Sequence, residues 1–553
     1  MDTFASTLIQ TQYYKGDRRM RRKSGVAEIL VQDREIPIDH CHVHLSQVIG
    51  SMVATTTDRS NSKSQVPVHS PERAAAYFPL MLLWLIGLTA WRITAVRYST
   101  LGFSGDEAQY WGWAQTLEWG YFTKPPMIAM VIRGAGEVCG QAEWCARSAS
   151  PIIHALTALI VYMIGRHFGG PRAGFWAGLV YATLPAVALS SAVISTDMPL
   201  LLFFAVAIYA FRRVTLTGSI FWTIICGLAI GFGLLAKYAM VYFVLSAMLY
   251  CLFTNRARWL LFSPQNLLLS AIAILVVMPN LIWNIDNGWA TVGHLGDNAN
   301  LGEKTSNPRE VLDFYAQQFA VFGPITMAVL LWRIIRAPGI PPSEGEKFLL
   351  FFVVPALLVI TVQAYLSRAN ANWAATAYVA GSVIVGIWAA DLQRRWLAHL
   401  SVGLHLVAAA VLTVFFLNLP GIELPVKSDP LRKLRNWDGL AREIKPILSR
   451  DPGRIILFDD RKVMAEMLYE LRDTAFNPVI WDWNGHPENH HELVYGYNPK
   501  PSDRVLLLAN WPNPETIHGK FTRSRPLGDI RVPIGAGRER VLKIFEMDGY
   551  KGE

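Results

Sequence analysis

Charge is scarce in this sequence: only 17% of its 553 residues are Asp, Glu, Lys or Arg, against about 25% in a soluble protein. The deficit is concentrated between Tyr77 and Asn418, so that region cannot be a water-soluble fold. The period-two alternation of polar and apolar residues that builds a transmembrane barrel is also missing, which excludes a barrel. Duplicated halves with paired broken helices are lacking, which argues against a secondary transporter. A cleavable signal peptide is not evident, because the first apolar run lies far from residue 1 and is too long. Cysteine is rare: of five, Cys226 and Cys251 fall in apolar runs as packing residues. Cys139 and Cys145 share one loop, where they are either bridged in an oxidising compartment or left as two thiols.

What is present is a series of apolar blocks, each about the 20 residues that a helix needs to cross the hydrocarbon core. In that core only helices or closed barrels satisfy their own backbone. The expected spans are roughly 77–96, 148–165, 173–190, 199–211, 219–236, 238–253, 267–284, 314–332, 348–366, 373–390 and 396–418. The fold class is thus an all-α polytopic membrane bundle of about eleven helices, with the Ala236-Lys237-Tyr238 break the least secure division. Nineteen tryptophans suit interfacial anchoring. Lys and Arg favour cytoplasmic loops. With the N-terminus inside, the inside loops hold 11 basic residues in roughly 49, and the outside loops 8 in roughly 95. The net charge of +9 is therefore assigned to cytoplasmic loops, not to nucleic-acid binding. Eleven spans leave the C-terminal segment outside the plasma membrane.

Residues 1–75 are polar and aperiodic and read as a disordered cytoplasmic tail. Translation could also start inside it, at Met20 or Met52. Its His40, Cys41, His42 and His44 form a cluster but lack the second ligand pair of a structural metal site. Residues 420–553 change character. Ile455–Phe458, Val479–Trp481, Val505–Leu508 and Val541–Phe545 read as strands, and Arg461–Asp473 has helical apolar spacing. This is a small external α/β domain without a glycine-rich phosphate fingerprint. The intervening 76–419 form the membrane domain.

The long outside loop 97–147 carries the chemistry. Asp106 and Glu107 follow Gly105 and open a segment with apolar residues at Tyr110, Trp113, Ala114 and Leu117. Carboxylates are favoured at a helix N-terminus, so capping explains them. Equally, a carboxylate at a membrane surface can take the proton of an attacking hydroxyl. Tyr110 and Tyr121 offer flat faces to sugar rings. Lys124 precedes Pro125 and Pro126, which stop a helix and fix its direction. It is either a snorkelling interfacial lysine or a point charge for a phosphate, with Arg147 expected to complete a cationic pocket beside it. Asp197, before Met198 and Pro199, caps the fourth span or faces a site, and the two are compatible.

The runs Gly105-Asp106-Glu107-Ala108-Gln109-Tyr110-Trp111-Gly112-Trp113-Ala114, Gly120-Tyr121-Phe122-Thr123-Lys124-Pro125-Pro126 and Ser195-Thr196-Asp197-Met198-Pro199 resemble the C-type membrane glycosyltransferases. The similarity is to the branch of protein O-mannosyltransferases, lipid A aminoarabinose transferases and rhizobial galacturonosyltransferases. Gln317-Gln318 through Gly323-Pro324, Ala371–Ala375 and Asp459-Asp460-Arg461-Lys462 share it, so it covers about residues 77–500. The resemblance implies a polyprenyl-phosphate sugar donor and a glycolipid, polysaccharide or protein acceptor at the outer face of the bilayer. By motif position Asp106 matches the catalytic carboxylate, Glu107 its neighbour, Lys124 the lysine on the donor phosphate and Asp197 the acid of the second external loop. Thr123 stands where the aminoarabinose branch often has an acid, so no amino-sugar specificity is assigned. A divalent metal near the acidic pair is conceivable, but no complete ligand set exists and none is assigned. A lipid or polysaccharide acceptor is favoured over protein because the C-terminal segment has no repeat suited to peptide capture. The rival outside this class is a non-catalytic scaffold, whose first loop would be dispensable.

Overall fold

The computed structural model describes residues 71–299, 306–337, 339, 341–419, 429–535 and 537–552. The His40–His44 cluster, nearly all of the expected tail and the first residues of the C-terminal segment lie outside them. Pro71–Glu553 is one compact unit, and everything below concerns that unit.

The chain is mostly helical, as its apolar blocks require. Among the described residues six helices are long and apolar enough to cross a bilayer: Ala76–Tyr98, Glu143–Thr183, Asp197–Thr217, Pro264–Asp286, Glu344–Leu366 and Arg395–Phe416. Ile220–Ala236, Tyr238–Phe253 and Ala377–Ala389 are shorter apolar helices. These helices do not by themselves confirm a count of about eleven spans. The expected spans 148–165 and 173–190 meet at Gly170, where φ is +79°, and pack back on each other, with Gly174 against Tyr162 O and Gly178 against Ala158 O. The expected span 314–332 breaks where Gly323 takes φ +87° and Pro324 begins a new helix. Gly323 has a second constraint, since a Cβ there would lie 2.0 Å from His405 Nε2. The division at Lys237 is real: the helix ends at Ala236, Lys237 is extended, and a 3-10 turn leads into Val241–Phe253. Leu83, Ile86, Leu275 and Val407 are exposed on these helices, which is where acyl chains would meet them.

Loops that the charge count grouped together lie together. One end gathers residues from 104–110, 123–124, 193–197, 237 and 370–373 around a cavity. The other carries the Arg333–Glu346 ion pair, Arg212 over the Phe168 and Phe348 rings, and Arg394 beside Trp332.

The C-terminal segment builds a five-stranded sheet of order β2-β1-β3-β5-β4. Its strands are β1 Ile455–Phe458, β2 Asn477–Ile480, β3 Arg504–Ala509, β4 Phe521–Gly535 and β5 Arg538–Tyr550. β1 runs parallel to β2 and β3, and β5 returns antiparallel to β3. β4 escapes sequence reading because Pro526, Gly528 and Pro533 interrupt it. It tolerates them as an edge strand, where one side of the ladder needs no donor.

The helix Arg461–Glu470, which follows β1, lies against the loop helix Gly105–Gln115. The approach is close: a Cβ on Gly105 would sit 2.8 Å from Lys462 Cβ. Tyr469 packs its ring on Phe103 and Trp111 and donates to Gln141 O at 3.2 Å. Two acids lie in this contact. Glu466 is fully buried, and among the described residues neither of its oxygens meets a donor. Burial and then Glu470 push its carboxyl well above the usual range, against Arg540 and Arg147. Burial, Glu143 and Asp438 push Glu470 up to about 7, against Arg472. A folded-state pKa above the unfolded one gives stability that is complete below about 4.5 and lost as pH rises through about 7. The thermal midpoint is thus expected to fall between pH 5 and 7.5 in a detergent-solubilised melt. Glu470→Gln should flatten that slope; an equal slope in the variant would refute the assignment.

Candidate active site

The two acids of the first loop have separate duties. Ser104 caps the Gly105–Gln115 helix in a capping box: its hydroxyl accepts from Glu107 N, and Glu107 Oε2 accepts from Ser104 N at 2.9 Å. Glu107 is buried and also accepts from Ile194 N at 3.0 Å and from Arg147 Nε and Nη2, each at 2.9 Å. Burial alone would raise its carboxyl. Arg147 and the Ile194 and Ser104 amides outweigh it and hold the group ionised, below the usual carboxylate value. Asp106 takes no part in the cap. Its side chain is 62% exposed, lines the cavity, and meets Arg461 Nη1 at 3.5 Å.

Arg147 does not join Lys124. Its guanidinium is buried, donates to Leu101 O at 2.9 Å and Gly102 O at 2.7 Å besides Glu107, and lies over the Phe103 and Phe416 rings. It ties the loop, the Ser195 turn and the Glu143–Thr183 helix into one corner. The reason is valence: a carboxylate with two guanidinium donors and two amides leaves neither partner free for a phosphate. Tyr121 also departs from expectation. It is buried, stacked on Trp113 at 4.4 Å, and its hydroxyl donates to Trp113 O at 3.0 Å, so it does not line the cavity. Tyr110 does line it, and burial followed by Asp106 and Asp197 raises its phenol, which stays a hydrogen-bond donor.

The partner that Lys124 finds is Lys237. Both line the same cavity of about 570 Å³, and Lys237 donates to Asp197 Oδ1 at 2.6 Å. Asp197 Oδ2 accepts from Asn372 Nδ2 at 2.7 Å, so this acid holds one lysine and one amide in place. Burial, then Lys237, lowers the Lys124 ammonium, while Asp197 and Asp106 work against that. A second cavity of about 320 Å³ shares Thr123, Lys124, Lys237, Leu295 and Trp373 with the first. Its remaining wall is largely apolar and aromatic, with Tyr238, Val241, Tyr242, Val359 and Ile360. A polar chamber and an apolar one thus meet at two lysines, a shape suited to a molecule with a charged head and a hydrocarbon tail.

Sequence reading missed Lys237, Arg461 and Gln109. Lys237 had a signal, as a lone cation between two apolar blocks, which is costly without a role. Arg461 was marked only as part of the Asp459–Lys462 segment of the resemblance, with no sign of its partner: it lies 352 positions from Gln109, whose Oε1 it donates to at 2.9 Å. Cys139 and Cys145 are bonded, which joins the Met127–Cys139 helix to the next one. No group of three or more His, Cys, Asp or Glu placed to hold a metal ion occurs among the described residues.

Known proteins share these features in part. The family model described as dolichyl-phosphate-mannose-protein mannosyltransferase matches residues 123–283. The lipid A galacturonosyltransferase RgtD of Rhizobium johnstonii is 34% identical over 431 residues, 78% of this chain and 90% of that protein. The lipopolysaccharide core galacturonosyltransferase RgtB of the same organism is 27% identical over 170 residues, 29% of this chain and 34% of its own. Among solved structures, ArnT from Cupriavidus metallidurans in the apo state superposes with a TM-score of 0.59 at 13% identity, covering 86% of this chain and 98% of its own. The same protein bound to undecaprenyl phosphate gives 0.57 at 15%, covering 85% and 98%. At that identity the likeness speaks for the fold.

Proposed function

Because this chain belongs to the C-type membrane glycosyltransferases, in the family of the lipid A galacturonosyltransferase RgtD, we propose that it transfers one uronosyl residue from a polyprenyl phosphate to an envelope glycolipid. The observation that carries this reading is the meeting of the polar and apolar chambers at Lys124 and Lys237, with Asp106 in the polar one. The apolar chamber takes the first isoprene units, the lysines take the phosphate, and the sugar lies in the larger chamber. ArnT, which shares the fold, has been captured with undecaprenyl phosphate.

Asp106 accepts the proton of the acceptor hydroxyl as its oxygen bonds to the anomeric carbon. The bond from that carbon to the phosphate oxygen breaks with its electron pair on the phosphate, and the anomeric configuration inverts. Negative charge grows on the leaving phosphate, which is where fixed cations lower the barrier most. Lys124 supplies one such cation. Lys237 supplies the second, its position set by Asp197. Glu107 and Arg147 act by holding the loop, and Tyr110 donates to the sugar or to its acceptor.

Lys124→Ala should raise the donor KM about 10- to 100-fold and lower kcat as well, since a hydrogen bond to a charged group is worth roughly 1.5–3 kcal/mol. A change confined to the acceptor KM would contradict the role. The reading as a whole is tested by mass spectrometry of envelope glycolipids from cells with and without the gene. Loss of one uronosyl mass on deletion is expected; an unchanged glycolipid profile sinks it.

The site is proposed to face the outer side of the plasma membrane, with the N-terminus in the cytoplasm and the β1–β5 sheet in the periplasm. The greater density of basic residues at the opposite end supports this, as does the Cys139–Cys145 bond, which belongs in an oxidising compartment. A reporter active only outside the cytoplasm should be active when fused after Asn418 and silent in the Arg394–Arg395 loop. The reverse pair of results overturns the orientation.

A further inference from the structure

We infer that Arg461, carried into the chamber by the C-terminal helix, is the group that reads the carboxylate of the transferred sugar and so selects a uronosyl donor over a neutral hexosyl one. This rests on the transfer reaction proposed above. Arg461 opens the helix Arg461–Glu470, whose N-cap Asp460 accepts from Lys462 N and Val463 N. The backbone beneath it is therefore fixed. Its Nη1 is held at 2.9 Å by Oε1 of Gln109, a buried residue of the facing loop helix. The same nitrogen makes the single 3.5 Å contact with Asp106. Among the described residues no protein acceptor meets Nε or Nη2, and the side chain remains 34% exposed, in a position that lines the chamber. One edge of the fork is anchored and the other is open.

Asp106 is the anion nearest to it and meets Nη1, the edge already anchored by Gln109. Lys237 is paired with Asp197, and Glu107 with Arg147. Lys124 lies where the two chambers meet and serves the phosphate. At the rim, Glu488 accepts from Asn484 Nδ2 at 2.7 Å. Thr123, beside Lys124, is neutral. The Nε–Nη2 edge of Arg461, which meets no acceptor among the described residues, is then open to a second acidic group on the donor, and a planar guanidinium edge matches a carboxylate with two parallel hydrogen bonds. A hydroxymethyl group in that place would accept one weaker bond.

The test uses full-length protein in detergent or liposomes with two donors that share lipid and anomer, undecaprenyl phosphate galacturonate and undecaprenyl phosphate galactose. The measured quantity is the ratio of their kcat/KM values. Wild type should prefer the uronosyl donor. In Arg461→Met the ratio should fall about 10- to 100-fold, the range expected for a charged hydrogen-bonded pair. Arg461→Lys, which keeps the charge and the docking of the helix but loses the fork, should fall less and serves if the Met variant does not fold. An unchanged ratio with both donors slowed equally would show that Arg461 only positions Asp106, and would overturn the inference. A wild-type enzyme that uses both donors equally, or only the neutral one, overturns it too while leaving glycosyl transfer intact. Transfer from neither donor refutes the proposed reaction and this inference with it.

Discussion

Asp106→Asn should leave a folded, membrane-inserted protein that binds donor lipid and transfers sugar about 10²- to 10⁴-fold more slowly, the contribution typical of a general base. The side chain has no structural duty to lose. Ser104 and Glu107 close the capping box without it, and its one ionic contact, to Arg461, spans 3.5 Å with the carboxyl 62% exposed. An exposed pair of that kind contributes about 0–1 kcal/mol. Asparagine keeps the shape and cannot accept the proton, so any large effect must come from the reaction. Steady-state rates at saturating donor and acceptor decide it. Wild-type turnover in the variant would remove Asp106 from the mechanism and leave the chamber without an identified base, because Glu107 is sealed against Arg147.

Arg147→Met should act on the fold. The pair it breaks is buried on both sides, with side-chain exposures of 1% and 3%. Removing one partner of such a pair leaves an uncompensated charge and costs about 3–5 kcal/mol. Glu107 would then have to become protonated while still surrounded by the Ser104 and Ile194 amides, and the capping box and the Ser195 turn would loosen together. The expected observation is a large fall in the unfolding midpoint in detergent, with transfer lost as a consequence. Replacing both partners, Arg147→Met with Glu107→Gln, should recover much of the stability, because two neutral groups avoid the stranded charge. If the single variant melts like wild type and only donor affinity suffers, Arg147 is a phosphate ligand after all.

These two residues show what a sequence can and cannot reveal about such a site. The apolar blocks fixed the helical class, because only helices and closed barrels survive in hydrocarbon and continuous apolar runs lack the alternation of a barrel. They left open where a block bends: Gly323 turns the chain inside what reads as uninterrupted apolar sequence, whereas the turn at Gly170 falls in the basic break between the spans 148–165 and 173–190. β1 and β3 were legible as short, wholly apolar runs, whereas β4 carries its edge position in its prolines and was not. In the loop, the acids and Lys124 were visible as chemistry out of place beside a membrane. Their partners were not. Arg147 and Lys237 are both outside-loop cations by sequence, and one meets a carboxylate while the other stands beside Lys124. Only the packing of segments 40 or more positions apart separates them. Tyr121 looked like a sugar platform because aromatic rings in core stacking and in ligand stacking have the same composition.

The contact between Gln109 and Arg461 also bears on how the molecule is made. The loop helix enters the membrane assembly early, after the first long apolar helix, while Arg461 belongs to a segment synthesised after the last one, Arg395–Phe416. Domains generally fold as they emerge, N-terminal parts first. The nascent chain therefore passes through a stage in which every membrane helix is in place and Asp106 is present, but the selective wall of the chamber has not yet been translated. Integration into the bilayer and the sugar selectivity proposed for Arg461 are thus separated in time, and a ribosome that stalls beyond Asn418 leaves behind a membrane protein with a chamber open on the Arg461 side.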